Sequence, residues 1–148
     1  MSLRKIIATI NSSRELNFQL HMQVLYGSED DIDYVIKAGA NIHATDIYER
    51  TALFYATLYG REEAVSLLLK RGANVNIVDK DGKELFYKAV TLNNVNQRII
   101  ALLLDAGVDK STLYRLLPIL IASDNPVLGG VLEVISEKLC EDKNAGNK

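Results

Sequence analysis

Few side chains in this sequence are of the types that carry out reactions. The histidines are His21 and His43, and neither belongs to a Ser/His/Asp grouping, a glycine-rich phosphate loop or a metal-spaced cluster. The densest polar run, Glu29-Asp30-Asp31-Ile32-Asp33, has the carboxylates that a calcium ion or a general base would use. It stands where a helix begins, however, and acidic residues in a first turn oppose the helix dipole without any ligand. Cys140 is the only cysteine, so no intramolecular disulfide forms and metal sites built on paired cysteines are excluded. No basic neighbour pattern activates that thiol, which reads as packed and inert. No catalytic constellation is legible in these residues, so neither an enzymatic activity nor a cofactor is expected.

Composition limits what is recognised. The 148 residues suit one domain with a continuous core, and 48% apolar against 24% charged residues is near the globular average. The net charge is −2, from 17 basic and 19 acidic residues mixed along the chain, a poor match to nucleic acid. Apolar stretches such as Leu116 to Ala122 fall far short of the roughly 18 residues a membrane helix needs. Near the start, Arg4 and Lys5 precede an Ile6 to Ile10 segment too short for a signal-peptide core, with no small-residue cleavage site after it. Residues 1–13 read as a capping helix. A reducing intracellular home, cytoplasmic in the simplest case, is the expectation, and the free chain is expected to be monomeric.

The elements that position any binding surface come from an internal repeat. Three segments end alike: Tyr34-Val-Ile-Lys-Ala-Gly-Ala-Asn-Ile-His43, Leu67-Leu-Leu-Lys-Arg-Gly-Ala-Asn-Val-Asn76 and Leu102-Leu-Leu-Asp-Ala-Gly-Val-Asp109. Gly39 and Gly72 are 33 apart, and Thr51-Ala-Leu-Phe-Tyr-Ala56 is matched at the same step by Glu84-Leu-Phe-Tyr-Lys-Ala89. Gly27, Gly60 and Asn93 keep that step too. Leu20, Leu53, Phe86 and Ile119 share one position of a first helix, and Ala56, Ala89 and Ala122 another, where small side chains allow close approach. A second helix carries the trios Ile32/Val35/Ile36, Val65/Leu68/Leu69, Ile100/Leu103/Leu104 and Val131/Val134/Ile135, each on one helical face. One repeat cannot bury such a face alone, so the copies must stack. Gly27, Gly39, Gly60, Gly72 and Gly107 fall just past helix ends, where a left-handed residue closes the turn.

These phrases resemble the ankyrin repeat, with its Thr-Pro-Leu-His-x-Ala opening and Leu-Leu-x-x-Gly-Ala-x-x-Asn close. The resemblance runs from about residue 14 to 138, with copies over about 14–45, 46–78, 79–110 and 111–139 and a polar tail over 141–148. It implies an all-α solenoid of helix-turn-helix units joined by short hairpin loops, its terminal copies serving as caps. Departures are visible. The opening proline is replaced by Gln19, Ala52 and Leu85 and kept only as Pro118, and Glu84 stands where Thr51 caps its helix. Residues 94–98 include two more residues than the matching stretch, implying a longer loop. The last copy is shorter, with 11 residues from Gly107 to Pro118 against 13 from Gly72 to Leu85.

The resemblance also implies a function: a protein partner bound on the concave face. His21 falls at the family's structural histidine and is expected only to satisfy local hydrogen bonds. The concave face would be lined by the ends of the first helices, Tyr26, Leu58, Tyr59 and Leu92, and by the hairpin tips, Ile47, Tyr48 and Arg50 in one and Lys80, Asp81 and Lys83 in the next. Exposed apolar and aromatic residues that folding does not require mark a binding surface. Two other roles stay open, a regulatory inhibitor and a host-directed effector. Asn76, directly after Val75, resembles the setting in which ankyrin asparagines become hydroxylated by a dioxygenase. Its simpler role is a hairpin asparagine bonding nearby backbone.

Overall fold

A computed structural model describes residues 2–9, 12–92 and 94–145. Among these, nine helices follow one another: α1 (Leu3–Thr9), α2 (Ser13–Tyr26), α3 (Glu29–Lys37), α4 (Ala52–Leu58), α5 (Glu62–Lys70), α6 (Leu85–Thr91), α7 (Gln97–Asp105), α8 (Lys110–Ile121) and α9 (Val127–Ala145). Helices α2, α4, α6 and α8 form an inner row and α3, α5, α7 and α9 an outer row, each packing on its neighbours in both rows. The architecture is an all-α stack of helix pairs. One continuous core runs through it, from Ile7 on the capping helix to Leu139 on α9. No helix among the described residues is long and apolar enough to cross a membrane.

The repeated positions carry that core. Leu20, Leu53 and Phe86 are at most 1% exposed, and Ile32, Val35, Val65, Leu68, Ile100 and Leu103 are all buried. Thr51 caps α4 by accepting from the Phe54 amide. The acidic run sits as the dipole argument requires, with Glu29, Asp30 and Asp31 in the first turn of α3. There Ser28 and Asp31 form a capping box, and hydrogen bonds from the Ser28 hydroxyl and amide hold the Asp31 carboxyl below its ordinary value. The described residues contain no cluster of histidine, cysteine and acidic side chains able to hold a metal. The longer loop is present too, residues 92–96 between α6 and α7 against 59–61 between α4 and α5.

The last copy corrects the expected register. Helix α8 begins at Lys110, so Pro118 lies inside it and does not open it. Leu113, Leu116 and Leu120 form its buried face, while Ile119 is 48% exposed and Ala122 is the exposed cap residue after the helix. Only Val108 and Asp109 separate Gly107 from α8, which leaves no room for a third hairpin. On α9 the buried stripe is Leu128, Val131, Ile135 and Leu139, so Val134 turns outward, and Cys140, expected to be packed, is exposed because it falls one residue past that stripe. Helix α9 continues to Ala145, through the first residues of the expected tail.

Gly39, Gly60, Gly72 and Gly107 have the positive φ expected of them, whereas Gly27 is extended, at φ −89°. Close approach explains Gly27: a Cβ there would stand 2.9 Å from the Gln23 carbonyl oxygen. Asn93 lies outside the described residues. Gly82, at φ 69°, is matched one repeat earlier by Glu49 at φ 58°, the only positive-φ residue other than glycine among those described. A left-handed L-residue costs roughly 1–2 kcal/mol, of which glycine's greater freedom when unfolded offsets about half. Glu49→Gly is therefore expected to raise stability by about 0.5–1 kcal/mol, read as a higher urea midpoint at unchanged slope. A lower midpoint would show that the Glu49 side chain stabilises the turn by more than its backbone strains it.

Candidate functional site

The two hairpins are built by one device used twice. Asp46 accepts from the amides of Tyr48 (2.9 Å) and Arg50 (3.1 Å), and Asp79 accepts from those of Asp81 (3.1 Å) and Lys83 (3.0 Å). An aspartate that bonds amides two and four residues ahead folds the chain back on itself and presents the residues between as a tip. The second oxygen of each carboxylate reaches elsewhere: the Tyr55 hydroxyl donates to Asp46, and Arg50 donates to Asp79 at 3.4 Å. Burial would raise both carboxyls. At Asp46 the Tyr55 hydroxyl and the amides outweigh it, and at Asp79 the two amides and the Arg50 guanidinium do, so both lie below the ordinary carboxylate value.

Arg50 is consequently a tie between hairpins and not a free cation on the rim. Its side chain is 24% exposed, paired with the buried Asp79, and its guanidinium lies over the Tyr48 and Phe54 rings at 5.4 and 5.5 Å. Burial pulls its pKa down, but bonds to Tyr55 and Asp79 prevail and hold it above the ordinary value. The Lys80 amide donates to the Tyr48 carbonyl at 3.0 Å, so the second tip is stitched to the first. Lys80 places its ammonium 5.4 Å from the Tyr48 ring centroid, and Lys83 does the same over Tyr87 at 5.2 Å. Tyr48, Arg50 and Lys80 thus form one cluster, with Ile47, 82% exposed, beside them. Asp81 is exposed at the second tip.

The helix ends form a different group. Tyr26 is 78% and Tyr59 64% exposed, while Leu58 and Leu92 are half-buried. Leu58 packs on the core. Leu58, Tyr59 and Leu92 border an open groove of about 940 Å³ whose far wall is the α6–α7 loop and Val127. A ring track joins Tyr59 to the hairpins: Tyr59 stacks on Tyr55 with centroids 6.4 Å apart, and Tyr55 meets His21 edge-on at 5.8 Å. His21 itself lies between two backbone carbonyls, Asn17 at 2.9 Å and Arg50 at 3.1 Å, the local satisfaction expected of it.

A second groove of about 760 Å³ lies between α2 and the first hairpin, walled by Phe18, Leu25, Ile47 and Tyr55 with Arg14 at its edge. Phe18, 62% exposed, was not legible as a surface residue, because its equivalents are Thr51 and Glu84 at helix starts. Helix α2 starts earlier, at a Ser12 cap that accepts from the Glu15 amide, and this turns position 18 into a mid-helix surface site. Ser12 followed three residues on by Glu15 is the sequence signal for that start.

Three other residues fall away from this surface. Asn76 bridges repeats, its amide donating to the Gly107 carbonyl (3.0 Å) while its oxygen accepts from the Asp109 amide (2.9 Å). Glu84 does not cap α6. It turns to α8 instead, accepting from Thr112 at 3.1 Å and pairing with Arg115. Glu62, on the outer helix α5, pairs with Arg98 at 3.4 Å and accepts from Asn96 at 2.9 Å.

A family model for ankyrin repeats, in three copies, matches residues 20–113. No curated protein matches the chain. Ankyrin repeats are in general protein–protein interaction modules and typically non-enzymatic scaffolds. The hairpin-and-helix-pair stack and the family match agree, and this chain belongs to the ankyrin-repeat family.

Proposed function

We propose that the chain binds a partner protein through the concave side formed by its hairpin tips and the ends of its inner helices. Tyr48, Tyr59 and Tyr26 are the anchors, Ile47, Leu58 and Leu92 extend the apolar contact, and Lys80, Asp81 and Lys83 form a polar rim. Arg50 holds the first tip in place. The observation that supports this most is exposure without structural need. Ile47, Tyr26 and Tyr59 leave most of their surface in solvent, while the equivalent core positions of the same repeats are fully buried. Tyrosine suits an anchor because it brings a large rigid area and a hydroxyl while losing only two torsions on binding.

Interface energy concentrates in a few such residues, so Tyr48→Ala and Tyr59→Ala should each weaken binding by about 1–2 kcal/mol, roughly tenfold in affinity. Tagged wild-type chain and these variants, used side by side to capture partners from native extract, test the reading. Partner recovery should drop for both tyrosine variants and persist for Lys70→Ala on the outer helix α5. Equal recovery with the folded tyrosine variants and loss with Lys70→Ala would place the working surface on the convex side.

A further inference from the structure

The groove between α2 and the first hairpin has a chemical character that narrows the partner. Its walls are carbon: Phe18, Leu25 and Ile47, closed by the Tyr55 ring. Its charged side chains are Arg14 and Asp46, and the Asp46 carboxylate is spent on two amides and the Tyr55 hydroxyl. The cation at the mouth is thus left without a competing acid inside the groove.

Charge is also segregated between the two helix rows. The inner helices α2, α4, α6 and α8 carry Arg14, Lys88, Lys110 and Arg115 against Glu15 alone. The outer helices α3, α5, α7 and α9 carry eleven acidic residues against five basic ones. On the outer row Lys37, Arg98 and Lys138 are engaged with Asp33, Glu62 and Asp105. Lys80 and Lys83, by contrast, rest on the Tyr48 and Tyr87 rings and join no ion pair among the described residues. Glu49 and Asp81 are the exposed acids of the tips. Lys70 on α5 is the exposed exception on the outer row, but acids outnumber bases there, so an acidic chain is repelled by the back of the molecule and attracted to Arg14, Lys80 and Lys83 on the front.

We infer that this groove takes the aromatic or branched apolar side chain of an acidic peptide segment, whose flanking carboxylates lie against Arg14 at one end and Lys80 and Lys83 at the other. The inference rests on the concave reading above and names the chemistry of the partner. The apolar anchor supplies affinity by leaving water, and the carboxylates set orientation and speed of association.

Three fluorescein-labelled twelve-residue peptides test it by anisotropy on the full chain. The first has a central Phe-Leu pair flanked by aspartate and glutamate, the second has lysine in place of every acid, and the third has Ser-Ser in place of Phe-Leu. The first should bind saturably and lose affinity as salt rises, with the other two at least tenfold weaker. Phe18→Ala and Arg14→Glu should each weaken the first peptide about five- to tenfold, with circular dichroism confirming that both variants are folded, and Lys70→Glu should leave it unchanged. Equal binding of the lysine peptide, unchanged binding to folded Phe18→Ala, or no saturable binding of the first peptide would each overturn the inference. If that happens while the tyrosine variants still lose the captured partner, only the acidic-anchor inference falls and the concave reading stands.

Discussion

Leu68→Ala or Leu103→Ala lowers the free energy of unfolding by about 2–5 kcal/mol, whereas truncation after Lys143 leaves it nearly unchanged. Both leucines are 0% exposed, on α5 and α7, at the joints where successive repeats close on one another. Each loses its transfer energy and leaves a cavity that a helix held on both sides cannot close. Because a stack of repeats is stable only through its neighbour interfaces, a defect at either joint weakens both copies that share it. Urea denaturation followed by circular dichroism measures the difference. A truncation as damaging as the leucine substitutions would mean that the end of α9 belongs to the core.

The second large effect is at Asp79. Its side chain is 1% exposed and accepts from two amides and the Arg50 guanidinium, so Asp79→Ala should cost about 2–4 kcal/mol, most of it from donors left unpaired beneath the tips. The same group gives the chain an acid limit. The Asp46 and Asp79 carboxyls both lie below their ordinary value in the folded state, so the unfolded chain holds those protons more tightly. The stability they supply is complete above the unfolded carboxylate value of about 4 and drains away as pH falls through it toward the folded values. Urea midpoints at pH 7 and at pH 3.5 should therefore differ, and Asp79→Asn should shrink the difference. An unchanged difference would show that other carboxylates set the acid limit.

Much of the fold was legible because repetition makes a pattern count several times. Leu20, Leu53 and Phe86 are buried as their shared position requires, and the helix trios of the first three copies face the core. The last copy misled because Leu117-Pro118-Ile119-Leu120 imitates the family's opening phrase, while the spacing of Leu113, Leu116 and Leu120 sets a different face. There the packing period prevailed over the motif. In the candidate site, positions were legible but side-chain directions were not. Arg50 is legible as a tip residue but not as a tie between tips, because its partner, Asp79, is 29 residues away and comes within reach only when the hairpins stack. Phe18 went unseen because repeat alignment assigned it to a helix start, although Ser12 had moved that start upstream.

The claim that the hairpin side is where a partner sits is tested most directly by hydrogen–deuterium exchange of the chain with and without its captured partner. Binding should slow exchange over residues 44–50 and 77–83 and at the ends of α2 and α4, leaving the outer helices α3, α5 and α7 as in the free chain. Protection confined to α3, α5 and α7, with the tips unchanged, would contradict the account.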